Sequence, residues 1–196
     1  MHFRARRKII LNIYDFDGTI YDGDSSIDFY RFCFVRSPFS VLRCLPGFAA
    51  AAVKYKLGHN TKTEMKSAFF AFVSGFEDIS DVVSAFWAKH MNKIEPWYLQ
   101  QQRPDDLIIS ASPDFLLAEI CHLLGIQNLI ASHADPHTGR YLEENCYGPH
   151  KVTLFQGKFP GAEVDAFYSD SSSDAPMAAL AKESYLVQKG TVTRWK

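Results

Sequence analysis

The sequence predicts an α/β fold in which a doubly wound parallel sheet carries an all-helical insertion after its first strand. Three observations predict it. Short apolar runs each end at a polar cluster, as buried strands of a parallel sheet do. Helix-start signals follow two of those polar tips, which gives the alternation of strand and helix that a doubly wound sheet needs. Between the first and second runs only helical spacing is found. The expected organisation is therefore an α/β core of residues 1–23 and 103–196, with a helical cap of residues 24–102.

In chain order, the run at 9–14 ends at Asp15 and the run at 107–109 ends at Ser110. Residues 129–131 end at Ser132 and His133, residues 164–168 at Ser169 and Asp170, and residues 185–187 precede the tail. Ser112-Pro113-Asp114 predicts a helix start, with an N-cap serine, a proline at the first position and an acid in the first turn. Asp174-Ala175-Pro176 predicts another, before residues 177–181. Inside the insertion, residues 25–36 read as a helix that stops at Ser37-Pro38. Residues 39–57 read as a second, stopping at Gly58 and broken or kinked by Pro46. Thr61 and Glu64 form a capping box that opens a helix through Val73, closed by Gly75. Ile79, Val82, Val83, Phe86, Trp87 and His90 recur at helical spacing.

The chain has 196 residues, 47% of them hydrophobic, enough for a core and too many for a disordered chain. A formal net charge of -1 gives no field that would recruit nucleic acid. The basic run Arg4, Arg6, Arg7 and Lys8 is followed by few apolar residues before Asp15 and by no small-residue cleavage site, so a secretory signal is not expected. Cys33, Cys44, Cys121 and Cys146 form no CxxC pair, which points to reduced thiols in a cytoplasmic protein. The most hydrophobic stretch, residues 38–57, is interrupted by Arg43, Pro46, Lys54 and Lys56. It falls short of the ~20 apolar residues a span needs, so no transmembrane segment is expected. Contact with a membrane surface stays open, because basic residues beside an apolar face suit anionic head groups. The plainer account is that Phe29, Phe48, Phe69, Phe70, Phe72, Phe86, Trp87 and Trp97 build a core for the insertion itself.

Chemistry concentrates at the strand ends. In Asp15-Phe16-Asp17-Gly18-Thr19, residues two apart on an extended segment point the same way, so both carboxylates can face one pocket. Asp-Gly alone also reads as a turn. Ser110 ends the second strand just before a helix N-terminus, whose free N–H groups favour an anion. Lys151 follows the turn-like Gly148-Pro149 and supplies positive charge, and Asp170 and Asp174 close the fourth strand. Taken singly, these are also a strand-end turn, a solvated lysine and a helix cap. Together, Asp15, Asp17, Asp170 and Asp174 converge on one rim, and clustered carboxylates repel unless a cation neutralises them. Oxygen ligands with room for water suit Mg²⁺. The cation, Lys151, Ser110 and a helix N-terminus then make a cradle for a phosphoryl group. His133 and His137 lack a third spaced ligand and read as a polar loop.

These motifs, in this order, resemble the four motifs of the haloacid-dehalogenase-like superfamily over nearly the whole chain. The helical insertion is similar to the cap of the phosphoserine-phosphatase-like subgroup. Ser110-Ala111-Ser112-Pro113, Asn145-Cys146-Tyr147-Gly148 before Lys151, and Tyr168-Ser169-Asp170 with Asp174-Ala175-Pro176 look closer still to a branch that includes phosphatidylglycerophosphate phosphatases. The resemblance implies a Mg²⁺-dependent phosphomonoester hydrolase with an aspartyl-phosphate intermediate on Asp15 and Asp17 as general acid/base. It implies that Ser110, Ala111 and Lys151 hold the phosphoryl oxygens. Asp15, the backbone carbonyl of Asp17 and Asp170 would bind Mg²⁺, with Asp174 and Thr19 in support. The implied substrate is a small phosphorylated metabolite or a phospholipid head group, met in the cytoplasm or at the membrane surface. A phosphomutase, or a silent phospholigand-binding scaffold, remains an alternative. Asp24 stands where phosphoserine phosphatases place a substrate-reading acid, but no arginine lies between Arg43 and Arg103, and Phe16 and Ala111 depart from their usual residues.

Overall fold

Strand β1 (Ile10–Tyr14) occupies the middle of a six-stranded sheet of order β3-β2-β1-β4-β5-β6. The computed structural model describes residues 9–195, and the basic run Arg4 to Lys8 lies outside them. β1 pairs in parallel with β2 (Leu107–Pro113) on one side and β4 (Glu163–Ser169) on the other. β3 (Asn128–Ser132) lies parallel beyond β2, and β5 (Ala181–Gln188) parallel beyond β4. The strand order therefore steps outward both ways from β1, and that switch point is where doubly wound sheets bind ligands. The fold is the α/β class expected. β6 (Thr191–Arg194) was not expected: it pairs antiparallel with β5 across Lys189 and Gly190, whose φ values are 49° and 72°. Two successive left-handed residues make the primed turn that suits a hairpin, without the usual Asn-Gly signature.

Six α-helices lie between β1 and β2. α1 (Ser25–Arg36) has the expected bounds because Asp24 caps it, its side chain accepting from the Ile27 N–H. Residues 39–57 form two helices, α2 (Pro38–Leu42) and α3 (Leu45–Lys56), separated at Arg43 and Cys44. Pro46 starts α3 instead of breaking a longer helix, since the first turn needs no proline N–H. α4 (Lys62–Phe70) opens on the Thr61–Glu64 capping box and tightens into a 3-10 stretch over Ala71–Gly75. α5 (Ile79–His90) is capped by Asp78, and α6 (Pro96–Gln101) leads back to the sheet.

Three expectations change in the second half. β2 runs on through Pro113, and α7 (Asp114–Leu124) begins without a side-chain cap, because the Ser112 hydroxyl bonds elsewhere. The turn-like Gly148-Pro149 opens a helix, α8 (Pro149–Lys158), with Gly148 at φ 55° feeding Pro149 into it, and Lys151 lies in its first turn. After Asp174 the helix is short, α9 (Ala175–Ala178), and residue 181 already belongs to β5.

Alternation along the strands sends side chains to two cores. Leu11, Ile13, Leu107 and Ile109 pack with Phe155 of α8 and Met177 of α9 on one face. Tyr14 and Ile108 pack on the other, with α7 and the buried aromatics of α1, α4 and α5. Trp87 of α5 donates through its indole nitrogen to the Leu116 carbonyl at 2.7 Å and meets Phe16 and Tyr21 edge-on. The helical segment and the sheet thus share one continuous core, and its position over the strand ends is set by packing.

Candidate active site

The first motif hangs from the centre of the sheet: the Asp15 N–H donates to the Tyr168 carbonyl at 2.9 Å. Phe16 turns the other way, fully buried between Tyr21 and Trp87, which leaves Asp15 and Asp17 on the opposite side. Gly18 has φ 70°, and a Cβ there would strike the Asp170 carboxylate, so both the turn and the close approach need glycine. A cavity of about 380 Å³ opens at the carboxyl ends of β1, β2 and β4. Asp15, Asp17, Ser110, Ala111, Lys151, Asp170 and Asp174 all line it, and α1, α3 and α4 supply the facing wall. Thr19 does not line it: the residue is buried beside the turn, its hydroxyl without a partner among the described residues.

Lys151 is 2% exposed. Its ammonium lies 2.8 Å from Asp15 Oδ1 and 2.7 Å from Asp174 Oδ2, and Ser169 donates to the same Asp174 oxygen at 2.9 Å. Burial opposes the lysine charge, but Asp15 and Asp174 more than reverse that and hold its pKa above the ordinary value. Asp15 ends up at about 6: burial raises it, Lys151 pulls it back, and Asp174 raises it again. Its carboxylate thus stays ionised at neutral pH.

Asp17 is held differently. Oδ1 accepts from the Ser25 N–H at the start of α1, and Oδ2 from the Ser112 hydroxyl, both at 2.6 Å. Ser112 in turn lies 2.9 Å from the Ser26 hydroxyl. Burial, with Asp24 nearby, raises the Asp17 pKa against those hydrogen bonds. Ser110 is buried, its oxygen accepting from the Ser112 N–H at 3.1 Å. Asp174 Oδ1 is buried with no partner among the described residues. Asp170 faces solvent at the rim, yet partial enclosure and the neighbouring Asp15 push it up to about 6.

Among the described residues, no three His, Cys, Asp or Glu side chains stand as a metal-holding group. His133 is paired with Asp114 at 2.6 Å, and all four cysteines are free. Several residues of the cavity carry little signal of that place in the sequence, Ser112 and Lys66 among them. Ser112 reads as a helix cap, although two serines two apart at a strand end share a face. Lys66 of α4 has the sequence context of an ordinary helix lysine, yet it reaches the Ala111 carbonyl at 2.5 Å.

The family model described as haloacid dehalogenase-like hydrolase matches residues 13–179, and the chain belongs to that family of enzymes. It is similar to the histidinol-phosphatase of Neisseria meningitidis serogroup C (strain 8013), 26% identical over 130 residues, which cover 57% of this chain and 59% of that protein. Protein CicA of Caulobacter vibrioides (strain NA1000 / CB15N) is 28% identical over 203 residues, covering 92% of this chain and 87% of CicA. The crystal structure of a probable phosphoserine phosphatase from Vibrio cholerae shares the fold, with a TM-score of 0.61 and 14% identity over 90% of this chain and 55% of that one. The chain thus spans under two thirds of the histidinol-phosphatase and of the Vibrio protein.

The raised Asp170 pKa makes a stability prediction. A carboxyl titrating at about 6 when folded and 3.8 otherwise penalises the folded state as it ionises, so the penalty is complete above pH 6 and absent below about 3.8. Asp170→Asn is expected to raise Tm at pH 7 in EDTA and to lose that advantage near pH 4. A Tm unchanged or lowered at pH 7 would show that the rim carboxylate is already compensated.

Proposed function

We propose that the chain is a phosphomonoesterase that carries the phosphoryl group transiently on Asp15, with residues 24–102 as a cap over the site. The observation that carries this reading is the split environment of two carboxylates two residues apart. Burial raises the pKa of both, but Asp15 is in contact with a buried ammonium that opposes this, whereas Asp17 has only hydroxyl and amide donors and no cation in contact among the described residues. A nucleophile has to be ionised and an acid protonated, and environments that separate two such groups mark the roles.

In the proposed reaction an Asp15 carboxylate oxygen attacks phosphorus as the ester P–O bond breaks. Asp17 gives its proton to the departing alkoxide. Asp17, now a carboxylate, takes a proton from water as that water attacks the phospho-Asp15 phosphorus, and inorganic phosphate leaves with Asp15 restored. Lys151 holds the nucleophile in place and faces the phosphoryl oxygens, with the Ser110 hydroxyl and Ala111 N–H as further donors.

The donor set fits Mg²⁺. It consists of oxygens alone; Asp15 and Asp170 are both pushed up to about 6 by enclosure and crowding, and Asp174 Oδ1 has no partner among the described residues. Asp15, the Asp17 carbonyl and Asp170 would hold the ion directly, with Asp174 helping through water or by orienting Lys151. When bound, it supplies positive charge against the phosphoryl oxygens and the acids.

Purified protein is expected to hydrolyse a generic aryl phosphate with Mg²⁺, to stop in EDTA and to be inhibited by excess Ca²⁺. Asp15→Asn should leave no phospho-enzyme, whereas Asp17→Asn should slow turnover by ~10²–10⁴-fold while phospho-enzyme still forms from a good leaving group. Near-normal rates for Asp15→Asn would require another nucleophile. Poor aryl-phosphate turnover with a persistent phospho-enzyme would favour a mutase, and none at all a silent scaffold.

A second reading concerns where the enzyme works, and a specific surface favours it. Phe39 is 87% exposed, Val35 80% and Leu57 66%, on or beside α1, α2 and α3, where Arg43, Lys54 and Lys56 are exposed too. No helix among the described residues is long and apolar enough to cross a membrane, so the reading is of surface contact with anionic lipid. Anionic liposomes are expected to sediment the wild type at low salt, and the Arg43→Glu, Lys54→Glu double variant less. Absence of wild-type binding would leave these helices as an ordinary lid.

A further inference from the structure

Five residues of α4 line the cavity: Lys62, Met65, Lys66, Phe69 and Phe70. They recur at the spacing of a single helix face, and that face forms one wall of the cavity. Its cations are placed unusually. The Lys66 ammonium makes one hydrogen bond among the described residues, to the Ala111 carbonyl at 2.5 Å. That carbonyl is also approached by the hydroxyls of Ser132 at 3.1 Å and Tyr141 at 3.5 Å, so it does not depend on the lysine. No carboxylate lies within ion-pair distance of Lys66 among the described residues.

Asp17 and Asp24 are the acids whose charge reaches it. Neither touches it: Asp17 bonds Ser25 and Ser112, and Asp24 caps α1. Enclosure pushes Lys66 down to about 8, and Lys62 adds to that; at neutral pH it remains a cation. An enclosed cation without a counter-ion is unfavourable unless something negative joins it. One turn away, the Lys62 ammonium lies 3.2 Å from the centre of the Tyr147 ring, on the same cavity. Ile27, Phe48, Met65 and Phe69 supply apolar wall.

We infer that Lys66, with Lys62 beside it, binds a second anionic group of the substrate, making the preferred substrate a small phosphomonoester whose alcohol part carries a carboxylate or a second phosphate. This rests on the phosphatase reading above. The reacting phosphoryl group sits on the acid and Lys151 side, the second anion meets the α4 lysines, and a short carbon skeleton crosses the apolar wall between them. A cavity of about 380 Å³ has room for two anionic groups and a short skeleton between them.

Three probes with one skeleton test it: glycerol 3-phosphate, 3-phosphoglycerate and glycerol 1,3-bisphosphate, whose far ends are a hydroxyl, a carboxylate and a phosphate. The wild type is expected to favour one or both doubly anionic probes over glycerol 3-phosphate by about 10- to 100-fold in kcat/KM, the range of a charge-assisted hydrogen bond in an enclosed site. Which end group wins identifies the second anion. Lys66→Met is expected to collapse that ratio, mainly through KM, whatever common factor lowers all three rates, and Lys66→Arg to restore part of it. A wild-type ratio near one overturns the inference. So does a Lys66→Met variant that slows all three probes equally, the result expected of a strut or of a group acting on the reacting phosphoryl. Turnover of p-nitrophenyl phosphate that depends on Asp15 but extends to none of the three also overturns it and leaves the phosphatase reading standing. If p-nitrophenyl phosphate is not hydrolysed either, the phosphatase reading fails first.

Discussion

An ammonium group with almost no access to water has to be surrounded by compensating charge, and Lys151 draws it from two carboxylates on different parts of the chain. Asp15 comes from the end of β1, Lys151 from the first turn of α8, and Asp174 from the segment after β4. Leaving any one unpartnered in the interior is costly, so each constrains the other two. The pairing of β1 with β4 brings the two acids side by side. Gly148, Pro149 and the burial of Phe155 under the sheet aim the helix that carries the lysine. Burying a charge triad adds little net stability; what it gives here is a fixed place for the Asp15 oxygens.

Asp17 ties the same strand end to the helical segment. One oxygen accepts from the N–H of Ser25 at the positive end of α1, the other from the Ser112 hydroxyl at the end of β2. Ser26 of α1 touches Ser112 as well. A small shift of α1 against β2 would break several of these bonds at once and raise the Asp17 pKa further, because the hydrogen bonds are what oppose burial. The protonation of this group therefore depends on how the helices seat over the sheet. That seat is an aromatic core around Phe16, Tyr21 and Trp87.

What was legible in the sequence is what local rules decide. Apolar runs stopped by Asp15, Ser110 and Asp170 mark strand ends, because a buried strand cannot continue through charge. α1 and α5 keep their expected bounds, since Asp24 and Asp78 cap them through bonds only two or three residues long. The misreadings fall where one residue type serves two purposes. Ser112 is as good a cap as a ligand, and only Asp17, 95 residues away, decides between them. Gly148-Pro149 reads as a turn, and tertiary packing of α8 makes it a helix start. β6 exists because β5 offers it an edge. Lys66 looks like a solvated helix lysine until Phe48, Phe69 and the end of β2 close around it.

The charge balance of the cavity floor gives the last step. Lys151 is already spent on Asp15 and Asp174, so it cannot by itself draw in a phosphate dianion. At an effective dielectric near 20, like charges about 4 Å apart repel by about 4 kcal/mol, which is enough to keep phosphate away from these acids. If Asp17 carries a proton, as the proposed acid would, Asp15, Asp170 and Asp174 stand against one ammonium. A divalent cation brings that floor to neutrality, while a monovalent one leaves it negative. The raised values of Asp15 and Asp170, both about 6, are the same shortage seen from the protein side. At neutral pH both are already mostly carboxylates, and a bound Mg²⁺ would lower their pKa values by supplying the positive charge that the floor lacks.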